Sequence, residues 1–122
     1  MGDIDQTIVD FYRRLDAGKI DSAVELLGPS CKYERAGVHT LNGRAEIAQF
    51  YGERNGGAPG RHTVVTLLSG DSVAGVEGVF ETGAEPLVGG ARLFSDWFRW
   101  GPSGICWRRT YHFVRPHWAN EV

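Results

Sequence analysis

The sequence predicts one α+β domain over residues 1–122, a cone-shaped barrel in which a long, curved antiparallel sheet wraps on three N-terminal helices. Hydrophobic residues recur at helical spacing in the first part of the chain, and from about residue 60 they alternate with polar residues, as strands require. Turns rich in glycine, proline and serine separate the alternating stretches. Helices over a bent sheet enclose a cone, whose middle must be filled by side chains or by a ligand.

Three segments carry helical signals. The first has one apolar stripe, formed by Ile4, Ile8, Phe11, Tyr12 and Leu15. Asp3 begins it as a capping residue, and Gly18 ends it. A second helix is predicted from Asp21 to Leu27, closed by Gly28-Pro29. A third is predicted from about Gly43 to Arg54 behind a cap at Asn42, and an extended stretch beginning at Cys31 separates these two.

The second half predicts four strands. They span Arg61–Leu68, Val73–Glu81, Ala91–Trp100 and Ile105–Val114. A loop from Thr82 to Gly90 joins the second and third of these strands, and Gly101 to Gly104 make a hairpin between the last two. Pro116 ends the last strand because proline cannot donate to a sheet.

Charge and composition exclude several classes of protein. The chain has 13 Lys and Arg against 15 Asp and Glu, a net charge of −2, so no nucleic-acid partner is expected. The acidic start is unlike a signal peptide, and the best apolar run, Val64–Leu68, is far shorter than the roughly 20 residues that cross a bilayer. Two distant cysteines, Cys31 and Cys106, are typical of free thiols in a reducing compartment. A cytoplasmic protein without a membrane partner is predicted.

Motifs for nucleotides, serine hydrolases and zinc proteases are missing, so no cofactor is expected. The four histidines lack the spacing of metal ligands, so we expect no metal and assign them surface or packing roles. They are His39, His62, His112 and His117.

Asp96 is the most unusual residue of the predicted sheet. Alternation places it on one face with Phe94, Phe98 and Trp100. A lone carboxylate among large aromatic side chains is unfavourable, so Asp96 is either protonated or paired. A protonated Asp96 could donate a hydrogen bond to a ligand oxygen. A paired Asp96 would belong to a structural network with an arginine or a backbone amide, and the residues alone do not choose between these alternatives.

Glu34, Arg109 and Tyr111 are the other candidates. Glu34 lies on the first extended stretch, where a solvated surface glutamate is the plain alternative to a catalytic one. The last strand has one face with Trp107, Arg109, Tyr111 and Phe113, and another with Cys106, Arg108, Thr110 and His112. If the aromatic face is the interior, Arg109 and Tyr111 reach into an apolar space. The plain alternative is an ion pair for Arg109 and core packing for Tyr111.

Several segments in this order resemble a known family. They are Phe11 to Gly18, Leu41 to Tyr51, Ser95 to Trp100 and the turn glycine Gly104. The pattern is similar to the nuclear transport factor 2-like cone, in its branch of ketosteroid isomerases and SnoaL-like polyketide cyclases, and covers nearly the whole chain. In ketosteroid isomerases, which serve as a standard example of a neutral carboxylic acid, a carboxylate moves a proton beside a carbonyl while a protonated Asp and a Tyr stabilise the enolate.

The resemblance implies roles for individual residues. It places the general base at Glu34, the neutral Asp at Asp96, and Phe11 where the family has its Tyr, so that Tyr111 is the candidate replacement phenol. It also places Arg109 inside, where it suggests either a more polar or anionic substrate or an ion pair with Glu34 or Asp96. The implied substrate-binding surface consists of Phe11, Phe50, Phe98, Trp100, Arg109 and Phe113.

Three functions follow as expectations. The first is an isomerase or cyclase that uses acid–base chemistry on a small, apolar, oxygenated molecule. The second is the opening of an epoxide, with Asp96 as the acid. The third is a non-catalytic ligand-binding or dimerisation domain, favoured by a filled cavity with Asp96 locked to Arg109, whereas an open pocket between Glu34 and Asp96 favours an enzyme. The resemblance also implies a homodimer through the outer sheet face, with Trp97 and His112.

Overall fold

A computed structural model describes residues 3–37, 39–54, 60–82 and 92–113. The elements are, in chain order, α1 (Ile4–Asp16), α2 (Ile20–Val24), β1 (Leu27–Arg35), β2 (His39–Asn42), α3 (Gly43–Arg54), β3 (Gly60–Ser69), β4 (Val73–Thr82), β5 (Arg92–Gly101) and β6 (Gly104–His112). The loop predicted up to Gly90, the end of the last strand at Val114, and Pro116 and His117 lie outside the described residues.

The six strands form one curved sheet in the order β2-β1-β6-β5-β4-β3. Neighbouring strands are antiparallel except β1 and β6, which run parallel. The helices cover the inner face of this open sheet, and the apolar core lies between the two layers. The predicted α+β cone is therefore confirmed. None of the described helices is both long and apolar enough to span a membrane.

Helix α1 follows its sequence signals closely. The Asp3 side chain accepts hydrogen bonds from the backbone amides of Asp5 and Gln6, at 3.0 and 3.4 Å, and so caps the first turn. After Ala17 the chain reverses at Gly18, whose φ of +77° is easily reached only by glycine. The buried residues of the helix are Ile8, Phe11, Tyr12 and Leu15. The apolar stripe read from the sequence is thus the face that packs on the sheet.

Helix α2 is shorter than predicted, because β1 already begins at Leu27. Leu27 lies beside Ile105 of β6, and Gly28 comes so close to this strand that a Cβ atom would lie 2.9 Å from the Ile105 carbonyl oxygen. Gly28 and Pro29 therefore belong to a strand, because this part of the chain lies close against the backbone of β6. Their local sequence signal, in contrast, indicates the end of a helix.

The hairpin of β5 and β6 contains a one-residue bulge. Trp100 lies opposite Ile105, whereas Arg99 lies opposite Trp107, so Cys106 is an extra residue on β6. Since side chains alternate along a strand, one extra residue exchanges the face that every later residue occupies. The bulge therefore decides which alternate side chains of β6, beyond Cys106, face the interior.

Beyond the bulge, Thr110 lies opposite Asp96, and Arg108 lies opposite Phe98. Residues directly opposite each other share a face, so Arg108 and Thr110 point into the cone, where they are buried with Asp96. The aromatic face of β6 is the outer one, and Tyr111 is 38% exposed. The expectation that this aromatic face lines the interior is wrong.

Candidate functional site in the interior of the cone

A polar cluster lies at the centre of the cone. Asp96, Arg108 and Thr110 are the buried polar residues of the described chain, at 0%, 2% and 4% exposure. Arg108 donates to Oδ2 of Asp96 from Nη2 at 2.8 Å and from Nε at 3.2 Å. The hydroxyls of Tyr12 and Thr110 donate to Oδ2 and Oδ1 of the same carboxyl group.

This geometry decides between the two alternatives for Asp96. Both of its oxygens accept hydrogen bonds from side chains that can donate, and one of these donors is a guanidinium. A carboxyl group surrounded by donors acts as an ionised acceptor, with no role as a donor. Asp96 is therefore the paired carboxylate of a structural network. Its partner is Arg108 instead of the expected Arg109.

Aromatic side chains surround the Arg108 guanidinium. Its carbon lies 4.4 Å from the Tyr33 ring centroid and 4.9 Å from that of Phe11, both within cation–π range. Nη1 donates to the Tyr51 hydroxyl at 2.5 Å. Burial acts to lower the pKa of Arg108, but the Asp96 carboxylate and the neighbouring phenols outweigh burial and raise it. Arg108 therefore stays charged inside the cone.

The phenols of Tyr12 and Tyr51 resist ionisation. Burial is the main reason that both pKa values are raised above the ordinary range. The Asp96 carboxylate raises the pKa of Tyr12 further, while Arg108 acts in the opposite direction on both phenols. Both groups thus remain neutral hydrogen-bonding groups over the physiological pH range.

A narrow cavity opens beside this cluster, with a volume of about 30 Å³. It is lined by Leu15, Asp16, Tyr33, Tyr51, Gly60, His62, Phe80, Phe94, Asp96, Arg108, Thr110 and His112. A water molecule needs about 10–15 Å³ of such a cavity, so there is room for about two water molecules. A wider surface cleft of about 570 Å³ adjoins it between α1 and β3, and the two share Asp16, Gly60 and His62.

Asp16 and His62 form a second polar pair where the cavity meets the cleft. Nδ1 of His62 lies 2.7 Å from Oδ1 of Asp16, and the backbone amide of His62 donates to Oδ2, also at 2.7 Å. The His62 ring stacks on the Tyr12 ring, with centroids 4.9 Å apart. Sequence reasoning missed this pair because 46 positions separate its members. The alternation of polar and apolar residues along β3 was the available signal, because it assigns His62 to one face of the sheet.

Four predicted site residues lie on the outer face of the sheet. Glu34 pairs with Arg109 across β1 and β6, with Oε2 and Nη2 2.5 Å apart. The hydrogen bond from Arg109 is the main reason that the pKa of Glu34 is lowered. Arg109 also donates to the Tyr111 hydroxyl at 3.3 Å, and Phe113 is 54% exposed. The expected pair of Glu34 and Arg109 exists, but the bulge in β6 places it on the outer face, away from Asp96.

The other predicted contacts are core residues or border the core. Phe11 and Phe98 are fully buried, and both face Arg108. Phe50 and Trp100 are partly buried against the core, where the Phe50 ring packs on Tyr51 at 5.2 Å. None of these four aromatic residues lines the narrow cavity. Of the predicted site residues, Asp96 alone does so.

Comparison with solved structures identifies the fold. An LEH-like epoxide hydrolase from M. tuberculosis is 18% identical, with a TM-score of 0.77 over 89% of this chain and 81% of that one. SalBIII, an epoxide hydrolase/cyclase-like enzyme in pyran ring formation of salinomycin, is also 18% identical, with a TM-score of 0.75 over 90% of both chains. A putative ketosteroid isomerase from Kribbella flavida is 15% identical, with a TM-score of 0.76 over 92% of this chain and 78% of that one.

These likenesses establish the nuclear transport factor 2-like fold that the sequence predicted. The proteins that share it include ketosteroid isomerase-like and epoxide hydrolase-like proteins, and also proteins of unknown function. No protein-family model matches the sequence, and no curated protein matches it.

The buried pair makes a prediction about stability. Asp96→Ala leaves the Arg108 charge buried without its carboxylate, so we expect the free energy of unfolding to fall by about 3–5 kcal/mol in urea titrations. The double variant Asp96→Leu, Arg108→Met removes both charges and should be more stable than Asp96→Ala. Glu34→Ala breaks the outer pair and serves as the control, with little change expected. A loss for Asp96→Ala no larger than for Glu34→Ala would contradict the assignment.

The two buried phenols predict alkaline unfolding. Above about pH 10 the unfolded chain releases the protons of Tyr12 and Tyr51, whereas the folded chain retains them because their pKa values are raised. Stability is therefore unaffected by these groups below pH 10 and falls as the pH rises further. Tyrosinate absorbance from both should appear together with the loss of circular dichroism, and Tyr51→Phe should remove one tyrosinate from that step. Ionisation of all four tyrosines in a still-folded protein would contradict this.

Proposed function

We propose that this domain is a small-molecule enzyme that uses acid–base chemistry on an oxygenated, largely apolar substrate. One observation carries the proposal: titratable and hydrogen-bonding side chains from six elements converge on one cavity in an otherwise apolar cone. Such convergence in a concave, mostly apolar site is typical of enzyme active sites. The ketosteroid isomerase-like and epoxide hydrolase-like names of proteins with this fold support the same class of function.

The cavity offers groups suited to a developing negative charge on a substrate oxygen. The Arg108 guanidinium is held in place by Asp96, and Tyr51 is held by Arg108. Hydrogen-bonding groups that are already oriented in a water-poor site stabilise an oxyanion without further rearrangement. An enolate formed beside a carbonyl group is the anion that this arrangement fits best.

The size of the cavity limits what can enter it. About 30 Å³ does not hold a steroid or a polyketide ring, so the carbonyl and its neighbouring carbon are the parts of a substrate that reach inside. The adjoining cleft of about 570 Å³ is large enough for the body of a small molecule. We therefore propose that the substrate lies in the cleft between α1 and β3, with its reacting end directed past His62.

A second candidate is non-catalytic ligand binding. The ion pair that occupies Asp96 and the small volume of the cavity favour it. Epoxide opening with Asp96 as the acid is less well supported, because both Asp96 oxygens already accept hydrogen bonds.

Proton exchange tests the proposed enzyme class. A panel of small apolar ketones in heavy water, followed by NMR, should include one whose α-protons exchange at least about 100-fold faster with the protein than without it. Glu34→Gln is the control and should retain this exchange, because Glu34 lies outside the cavity. Saturable binding without exchange would favour the ligand-binding candidate, and diol formation from epoxides would favour ring opening. The absence of both exchange and binding would contradict the proposal.

We also propose a homodimer formed through the outer face of the sheet. Trp97 is 44% exposed there and Leu68 is 71% exposed, and the Trp97 ring lies over Gly75 between them. A contiguous apolar patch of this kind is usually covered in solution. His112, predicted for the same surface, lines the inner cavity instead.

The dimer is tested by sedimentation equilibrium. The native chain should sediment as a dimer at micromolar concentration, and Trp97→Lys should shift it towards the monomer because a lysine ammonium is unfavourable in an apolar contact. Arg13→Glu, on the opposite side of the domain, is the control and should leave the mass unchanged. A monomeric native chain at every concentration would contradict the proposal.

A further inference from the structure

We propose that His62 is the catalytic base of this site and that Asp16 is its positioning residue; this inference rests on the proposed acid–base function. The sequence resemblance placed the base at Glu34, which lies on the outer face. His62 lines both the inner cavity and the surface cleft, at the boundary that a substrate must pass.

Asp16 holds His62 through two contacts of different kinds. Oδ2 accepts a hydrogen bond from the backbone amide of His62, and this bond fixes the start of β3 against the end of α1. Oδ1 faces Nδ1 of the ring. Tyr12 stacks on the ring, and Phe94 meets it edge-on with centroids 5.3 Å apart. The ring is thereby fixed in both position and plane, as a catalytic group requires.

The carboxylate also determines the tautomer of the ring. An ionised Asp16 can only accept, so in the neutral imidazole the proton lies on Nδ1 and the lone pair lies on Nε2. When Nε2 takes up a proton, the imidazolium that forms is stabilised by the adjacent carboxylate. The His62 side chain is 12% exposed, which shields the pair from bulk water while leaving it within reach of the cleft.

The proposed step transfers one proton. Nε2 of His62 takes a proton from the carbon beside the substrate carbonyl, and the electrons of the broken C–H bond form a C=C bond while the carbonyl π electrons move to oxygen. The enolate oxygen is stabilised by the Arg108 and Tyr51 network. The imidazolium then returns the proton to the same carbon or, in a conjugated substrate, to another carbon, which regenerates neutral His62. No other reactant is consumed.

Other groups at the cavity are less suited to be the base. Asp96 has both oxygens engaged by donors, and the phenols of Tyr12 and Tyr51 hold their protons tightly. His112 also lines the cavity. The contact with the Asp16 carboxylate supports His62 as the base, and a His112 variant is the comparison for this assignment.

The first test uses the ketone that the native chain exchanges fastest. His62→Gln should slow exchange by about 10²–10⁴-fold, and added imidazole should restore part of the rate to His62→Ala. His112→Gln should keep most of the rate, and His39→Gln, at an exposed histidine on β2, is the matched control and should keep all of it. Exchange by His62→Gln within threefold of the native rate, or a large loss with His112→Gln alone, would overturn the assignment.

The second test needs no substrate. In ¹⁵N NMR spectra of the native chain, recorded at a pH at which the histidine rings are neutral, His62 should show a protonated Nδ1 and an unprotonated Nε2, and Asp16→Asn should change this tautomer balance. The opposite tautomer in the native chain would overturn the assignment. If no ketone exchanges with the native chain, the acid–base function fails by itself, whereas the NMR result still decides whether Asp16 positions His62 as described.

Discussion

The interior of this domain depends on the ion pair between Asp96 and Arg108. A guanidinium in an apolar cone is tolerated only with a carboxylate partner and with its remaining N–H groups engaged. Asp96 is the carboxylate partner of Arg108, and the Tyr51 hydroxyl accepts a hydrogen bond from another of its N–H groups. Through Tyr12, the same carboxylate also ties α1 to the sheet. One charge pair therefore sets the relative positions of two strands and two helices.

The ion pair also limits the role that Asp96 can have in the candidate site. Because Asp96 accepts from three side chains, it stabilises the interior and fixes Arg108, but it is not free to give or take a proton. In the mechanism that we propose, proton transfer falls to Asp16 and His62, nearer the entrance. The resemblance placed the base at Glu34 and the neutral acid at Asp96, whereas the proposed base His62 and the paired Asp96 belong to two separate polar pairs.

Much of the fold follows from local sequence signals. The helical stripe that contains Phe11 and Tyr12 and the alternation around Asp96 are strong, and both predict the buried faces correctly. The expectation that Arg109 and Tyr111 lie inside followed the aromatic face of β6 and the family resemblance. In the structure, the extra residue at Cys106 places Thr110 opposite Asp96, so Arg109 and Tyr111 lie on the outer face. No local pattern marks that bulge, and it moves Arg109 and Tyr111 from the predicted inner face to the outer face.

The candidate site was less predictable because it is made by long-range contacts. Asp16 is explained locally as the end of a helix, and His62 as one residue of an edge strand, so neither stands out alone. Their pairing appears only when α1 packs beside β3. Tyr12 is similar: its hydroxyl reaches Asp96 because the buried stripe of α1 is wide enough to include both Phe11 and its neighbour.

The ionisation state of Asp96 tests this account most directly. The ¹³Cγ chemical shift of Asp96, measured in folded protein at neutral pH, should be that of an ionised carboxylate, and Arg108→Met should change its environment while Arg109→Met does not. A protonated carboxyl group at neutral pH would contradict the account, because Asp96 would then be the hydrogen-bond donor of an isomerase-like site and the chemistry would return to the centre of the cone.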